Sequence, residues 1–186
     1  MKRAAAWQRA GRALFLGLAV VAFVTSPARA QSRDERAVRA AYLYNLIKYV
    51  GWPAQGKDLI VAFAGDAPTS DVIGQLLNGR ASDGQTIRVV QPASCEELER
   101  CSVLYVSGAS ESDIRKILEK VKGRSVLTVG ENDAFVQAGG MVALVNTGDH
   151  IRIEVNLEAA QSVGIRISSR VLGLATIVRS AGKGGN

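Results

Sequence analysis

Leu59-Ile60-Val61-Ala62-Phe63-Ala64, closed by Gly65-Asp66-Ala67-Pro68, is a continuous apolar run ending in turn chemistry. A strand exposed on one face alternates apolar and polar residues; one apolar on both faces suits a sheet covered by helices on both sides. On its amino-terminal side, Val38, Tyr42, Leu46 and Val50 recur every four residues, with Ala41 and Ile47 widening the stripe. This predicts an amphipathic helix over Arg36–Val50, ended by Gly51-Trp52-Pro53. On its carboxyl side the alternation repeats. A helix is expected over Asp71–Leu77, a strand over Thr86–Val90, a short helix near Glu96–Leu98 and a strand over Val103–Val106. A helix over Glu111–Val121 and a strand over Val126–Val129 follow.

Strands alternating with helices imply a Rossmann-like, doubly wound and mostly parallel sheet flanked by helices. After Gly139-Gly140 the pattern changes. Met141–Val145 and Ile151–Val155 are strand-like and are separated by Asn146-Thr147-Gly148-Asp149, which predicts an antiparallel hairpin added to the sheet. A short helix near Leu157–Gln161 and a helix from about Ser169 to Val178 complete the expected order.

The first thirty residues have a different character. Lys2, Arg3, Arg9 and Arg12 precede an apolar stretch from Ala13 to Val24, and Ser26-Pro27-Ala28-Arg29-Ala30 presents small residues where a signal peptidase cuts. The apolar stretch, about 12 residues, is short of the roughly 20 that cross a bilayer. Residues 1–30 are therefore expected to be a signal peptide cleaved after Ala30, and the protein to work outside the cytoplasm. Residues 31–179 are expected to form one α/β domain, and residues 180–186 a mobile tail. The segment 1–30 carries five of the 23 basic residues and none of the 17 acidic ones. Without it the chain is close to neutral, which removes the charge argument for nucleic acid or a membrane surface.

Few motifs point to chemistry. Two cysteines and a single His150 make no metal-ligand cluster, and no Walker loop, dinucleotide glycine pattern or nucleic-acid module is present. No cofactor is implied. Gly108-Ala109-Ser110-Glu111-Ser112 approaches a nucleophile elbow but lacks its second glycine, and Ser110 with Asp113 three residues on reads equally as a helix cap. The loops Gly65-Asp66, Ser107-Gly108-Ala109-Ser110 and Gly130-Glu131-Asn132-Asp133 fall at the carboxyl ends of strands, where doubly wound sheets bind ligands. The same residues are also what such loops need simply to turn. Trp52 is a core plug or an exposed anchor. Arg152 and Glu154, two apart on a strand, share one face. Cys95 and Cys101 are the candidate disulfide in an oxidising compartment; otherwise Cys101, opening a strand, is a small buried hydrophobe.

Taken in order, Ala41–Pro53, Ile60–Asp66, Cys101–Ser107, Gly139–Val142, Arg152–Leu157 and Gly164–Ser169 resemble the YfiR-like family of periplasmic proteins. The resemblance implies a non-enzymatic repressor that binds the periplasmic domain of an inner-membrane diguanylate cyclase, or of another membrane sensor. Such binding holds down cyclic di-GMP synthesis and biofilm formation. It directs attention to Trp52, Arg170 and Leu174 for the partner, and to Arg152, Glu154, Asn156, Ser168 and Ser169 for a ligand. The family's cysteine at the Cys101 strand often pairs with one in the earlier strand, which here reads Ile60-Val61-Ala62-Phe63-Ala64 and contains none. A homodimer is a further expected assembly. The alternative reading is a periplasmic sensor of a nucleotide or amino acid, with a hydrolase third.

Overall fold

The computed structural model describes residues 27–53, 58–90 and 95–179. In chain order the elements are α1 (Pro27–Lys48), β1 (Val50–Gly51), β2 (Asp58–Gly65), α2 (Ala67–Leu77), β3 (Ala81–Ser82), β4 (Gln85–Val90), α3 (Cys95–Arg100), β5 (Val103–Ser107) and α4 (Glu111–Lys120). They continue as β6 (Leu127–Gly130), α5 (Asp133–Gln137), β7 (Val142–Asn146), β8 (Ile151–Val155), α6 (Leu157–Gln161), β9 (Arg166–Ile167), α7 (Ser169–Leu172) and β10 (Ala175–Ile177). The expected signal peptide lies, through residue 26, outside the described residues, as does the expected tail 180–186; the expected cut after Ala30 falls within the backbone of α1. No described helix is long and apolar enough to cross a membrane.

The main sheet runs β10-β8-β7-β6-β5-β2-β4-β3, and β4, β2, β5, β6 and β7 are mutually parallel. This is the doubly wound sheet the sequence predicts. The hairpin is also where the sequence puts it, β8 pairing antiparallel to β7 from Val142↔Val155 to Asn146↔Ile151. Alternation within each strand divides the core in two. Leu59, Val61 and Phe63 of β2, with Val103 and Tyr105 of β5, face α1 and α2, while Ala62, Leu104 and Val106 pack with Leu98 of α3, Ile114 of α4 and Phe135 of α5. β5 is buried on both faces throughout, and β2 is buried from Val61 to Phe63 with Ile60 and Ala64 half-buried, which is why these strands read as unbroken apolar runs.

Four differences from the sequence reading stand out. The stripe α1 buries is Arg39, Ala40, Leu43, Leu46 and Ile47, rotated by one residue from the expected one; Val50 is buried in β1, and Val38 is 46% exposed. The helix is also longer than expected, covering Pro27–Lys48 among the described residues. The C-terminal helix lasts a single turn: α7 stops at Gly173, and Ala175-Thr176-Ile177 pairs in parallel with Ile153-Glu154-Val155 as β10. Finally, the two-residue strands β1 and β9, paired antiparallel, and the edge strand β3 are too short to leave a periodicity.

Candidate functional site

The sheet reverses its winding between β2 and β5: α2 leaves β2 toward the α1 side and α4 leaves β5 toward the other. At such a point the two outgoing loops usually part and leave a ligand crevice. Here they are stitched together. The Asp66 N–H donates to the Ser107 carbonyl at 2.9 Å, and the Ser107 hydroxyl donates to the Asp66 carbonyl at 3.2 Å. Gly65, at φ +101°, permits this approach, since a Cβ there would lie 1.8 Å from the Ser107 oxygen. A Cβ on Gly108 would come within 2.9 Å of the Asp66 side chain. The Asp66 carboxylate is turned back to cap α2, accepting from the Thr69 N–H at 3.1 Å and its hydroxyl at 2.8 Å.

Beside this seam the carboxyl ends of β5, β6 and β7 are plugged by a charged cluster. Arg39, only 7% exposed, reaches across from α1. Its Nη1 donates to the Leu144 carbonyl at 2.8 Å and lies 3.6 Å from Glu131 Oε1, while Nε and Nη2 donate to Glu35 Oε1 at 3.2 and 2.6 Å. The Tyr105 hydroxyl donates to Glu131 Oε1 at 2.8 Å. Burial pushes the Glu131 carboxyl above its usual range against the pull of Arg39, and burial together with the Glu131 charge raises Tyr105 well above the ordinary phenol. The Arg39 hydrogen bond holds Glu35 below the usual carboxylate range. The cluster satisfies its own donors and acceptors, so the crevice is filled by the protein itself.

The five residues singled out for a ligand do not converge. Arg152 and Glu154 share a face, as expected, but it is the α5 side: Arg152 lies 2.9 Å from the carboxylate of Glu154, itself 7% exposed, and 3.0 Å from Asp133. Asn156 is the N-cap of α6, accepting from the Ala159 N–H at 3.0 Å. Ser168 sits on the α1 side of the sheet, where its N–H donates to the Tyr49 carbonyl at 3.0 Å, and Ser169 is exposed at the start of α7. An open groove of about 550 Å³ at the amino-terminal edge of β6 and β7 includes Arg115, Lys122 and Arg124 in its lining. These cations are already engaged, by Glu111, by Glu119 and by the Leu98 and Glu99 carbonyls respectively.

The residues singled out for a partner lie closer together. Arg170 stacks 5.3 Å above the Tyr49 ring and its Nη1 donates to the Tyr49 hydroxyl at 3.2 Å. Trp52 follows β1, which pairs with β9 just ahead of α7, and its half-buried ring packs against the α1-side core. Leu174 is 77% exposed and Ile177 is 56% exposed.

The profile of the YfiR/HmsC-like family matches residues 36–176. The chain belongs to that family. No curated protein matches it closely enough to add a named relative. The span matched by the YfiR/HmsC-like profile starts three residues before Arg39 and ends within β10, so it takes in the crevice loops, Arg39, Tyr105 and Glu131 of the plug but not Glu35, and Trp52, Arg170 and Leu174.

Other chemistry expected or weighed from the sequence can now be located in this YfiR/HmsC-like domain. Ser110 is the N-cap of α4, its hydroxyl accepting from the Asp113 N–H at 3.3 Å and donating to the Asp113 carboxylate at 2.6 Å. His150 bonds within its own turn, to Asp149 and Thr147. Cys101 is a buried free thiol, and the side chain of Cys95, the other half of the candidate disulfide, lies outside the described residues. Burial pushes the Cys101 thiol up to about 11, so it stays protonated and unreactive. Among the described residues, no group of His, Cys, Asp and Glu is arranged to hold a metal ion. Arg39 and Tyr105 were missed as site residues. The signal available for Arg39 was its place on the buried stripe of α1, where an arginine needs a partner.

Proposed function

We propose that this protein is an exported, non-enzymatic regulator that binds the periplasmic domain of an inner-membrane diguanylate cyclase and represses cyclic di-GMP synthesis, and with it biofilm formation. Membership of the YfiR/HmsC-like family over residues 36–176 carries the reading. In it residues 1–30 are removed after Ala30 and residues 31–179 act as the domain. Repression across a membrane requires that binding favour one of two states of the partner, because only a differential affinity can shift an equilibrium. A self-filled crevice supports recognition through the protein's surface over a small-molecule sensor at the strand ends. The contact surface is Trp52, Tyr49, Arg170 and Leu174.

The test is capture by immobilised residues 31–186 from solubilised membranes of the host, with cyclic di-GMP measured in parallel. Recovery of a membrane diguanylate cyclase is expected, and Arg170→Glu should weaken that capture at least tenfold and raise cyclic di-GMP. Stability should change by no more than about 0.5 kcal/mol, since the residue is exposed. Failure to recover any cyclase, with cyclic di-GMP unchanged on deletion of the protein, would reject the reading.

A further inference from the structure

The two edges of the main sheet are treated differently. The β3 edge is two residues long, and its Ala81 carbonyl is taken by the Tyr44 hydroxyl at 3.0 Å. Lys48 and Arg80 lie over the Tyr44 ring beside it. Short length and nearby charge are how sheets avoid unwanted strand pairing. The β10 edge has no such guard within it: Ala175-Thr176-Ile177 contains no charge, proline or glycine and is rich in strand-forming residues. Its hydrogen-bonding direction is fixed. The Val178 N–H donates to the Val155 carbonyl at 2.9 Å, so in the parallel register Thr176 and Val178 bond to β8, and the N–H and C=O of Ala175 and Ile177 point away from the sheet.

From this geometry we infer that β10 is a strand-addition edge, which takes an extended segment of the membrane partner, apolar at its centre and acidic at its flanks, as the next strand of the sheet. This rests on the partner-binding reading above. An outward row of alternate donors and acceptors is complementary only to another extended backbone, and the exposed Leu174 and Ile177 side chains supply apolar contacts alongside it. Charge selects the occupant. From residue 159 onward the chain contains no Asp or Glu, and Arg166, Arg170 and Arg179 are exposed with no carboxylate partner among the described residues. A second copy pairing through β10 would add a further positively charged segment beside these arginines, whereas an acidic-flanked strand neutralises them.

Ile177→Pro removes one outward N–H and leaves both inward bonds in place, and proline is tolerated on an edge. The probe is the periplasmic domain of the cyclase recovered by residues 31–186. Ile177→Pro should bind it at least tenfold more weakly with an unchanged unfolding midpoint, while Ile177→Val should bind as the wild type does. Wild-type binding by a folded Ile177→Pro variant would overturn the inference and leave the regulator reading standing. Recovery of no cyclase by the wild type would remove both. Should Ile177→Pro fail to fold, hydrogen exchange on the wild type decides: the Ala175 and Ile177 amides are expected to gain protection when the cyclase domain is added. No gain overturns the inference, and so does protection that rises with protein concentration alone, which marks self-pairing.

Discussion

The carboxyl-end crevice and the β10 edge belong to one sheet, and they dispose of polar groups in opposite ways. In the crevice, Gly65 lets two loops bond each other, and Arg39, Glu131, Tyr105 and Leu144 satisfy one another out of water. At β10, backbone groups and two large apolar side chains face outward. A doubly wound sheet ordinarily puts recognition in the first place and protects the second. The reversal teaches that a few residues at the strand ends can close the place where a common architecture binds small molecules while its sheet edge is left open.

The largest expected effect tests whether the crevice is sealed by its own charges. Arg39→Met leaves Glu131 buried without its cation and the Leu144 carbonyl without its donor. Breaking a buried pair from one side costs about 3–5 kcal/mol, and urea unfolding should register a loss of that size. A loss below about 1 kcal/mol would mean that water replaces the guanidinium and that the crevice is wet. Gly65→Ala should come next. It forces a side chain into a left-handed conformation and against the Ser107 carbonyl, at a cost of about 2–3 kcal/mol by the same measurement. If the variant is as stable as the wild type, the loops separate easily and the contrast with β10 loses its basis.

What the sequence disclosed follows the same division. Strands whose burial is local and two-sided were legible: the apolar run Leu59–Ala64 falls inside β2, and Val103–Val106 inside β5. The C-terminal segment misled because Val171, Leu174 and Val178 recur at helical spacing, yet Gly173 ends α7 and the pairing that makes β10 a strand comes from β8, about twenty residues earlier. Non-local pairing leaves no local pattern. The α1 stripe was displaced because Val38, Ala41 and Tyr42 compete with Ala40 and Leu43 for the apolar face, and Arg39 counts as polar until its partners in the loop after β6 and in β7 are known. For the site, the loops at the strand ends were recognisable, whereas their closure on one another was not. That closure is a distance between Gly65 and Ser107, which no spacing encodes.

The smallest expected effect is on pH dependence, and its sign separates the two carboxylates of the plug. Burial raises Glu131, opposed by Arg39, the Tyr105 hydroxyl and the Gly108 N–H, with Asp66 adding to the rise. Above the ordinary glutamate range the unfolded chain has already lost this proton while the folded chain retains it, so stability falls as pH rises toward the folded value and is fully present below the ordinary one. Glu35, lowered by its bond to Arg39, acts the other way: its contribution holds above the ordinary value and is lost as pH falls through the folded one. Solvent screens Glu35, so its share is the lesser. Unfolding midpoints measured from about pH 5 to about pH 7 should therefore decline for the wild type, and Glu131→Gln should flatten that decline while Glu35→Gln leaves it in place. A flat wild-type profile would mean that Glu131 is hydrated, and the crevice would then join β10 as a surface open to solvent.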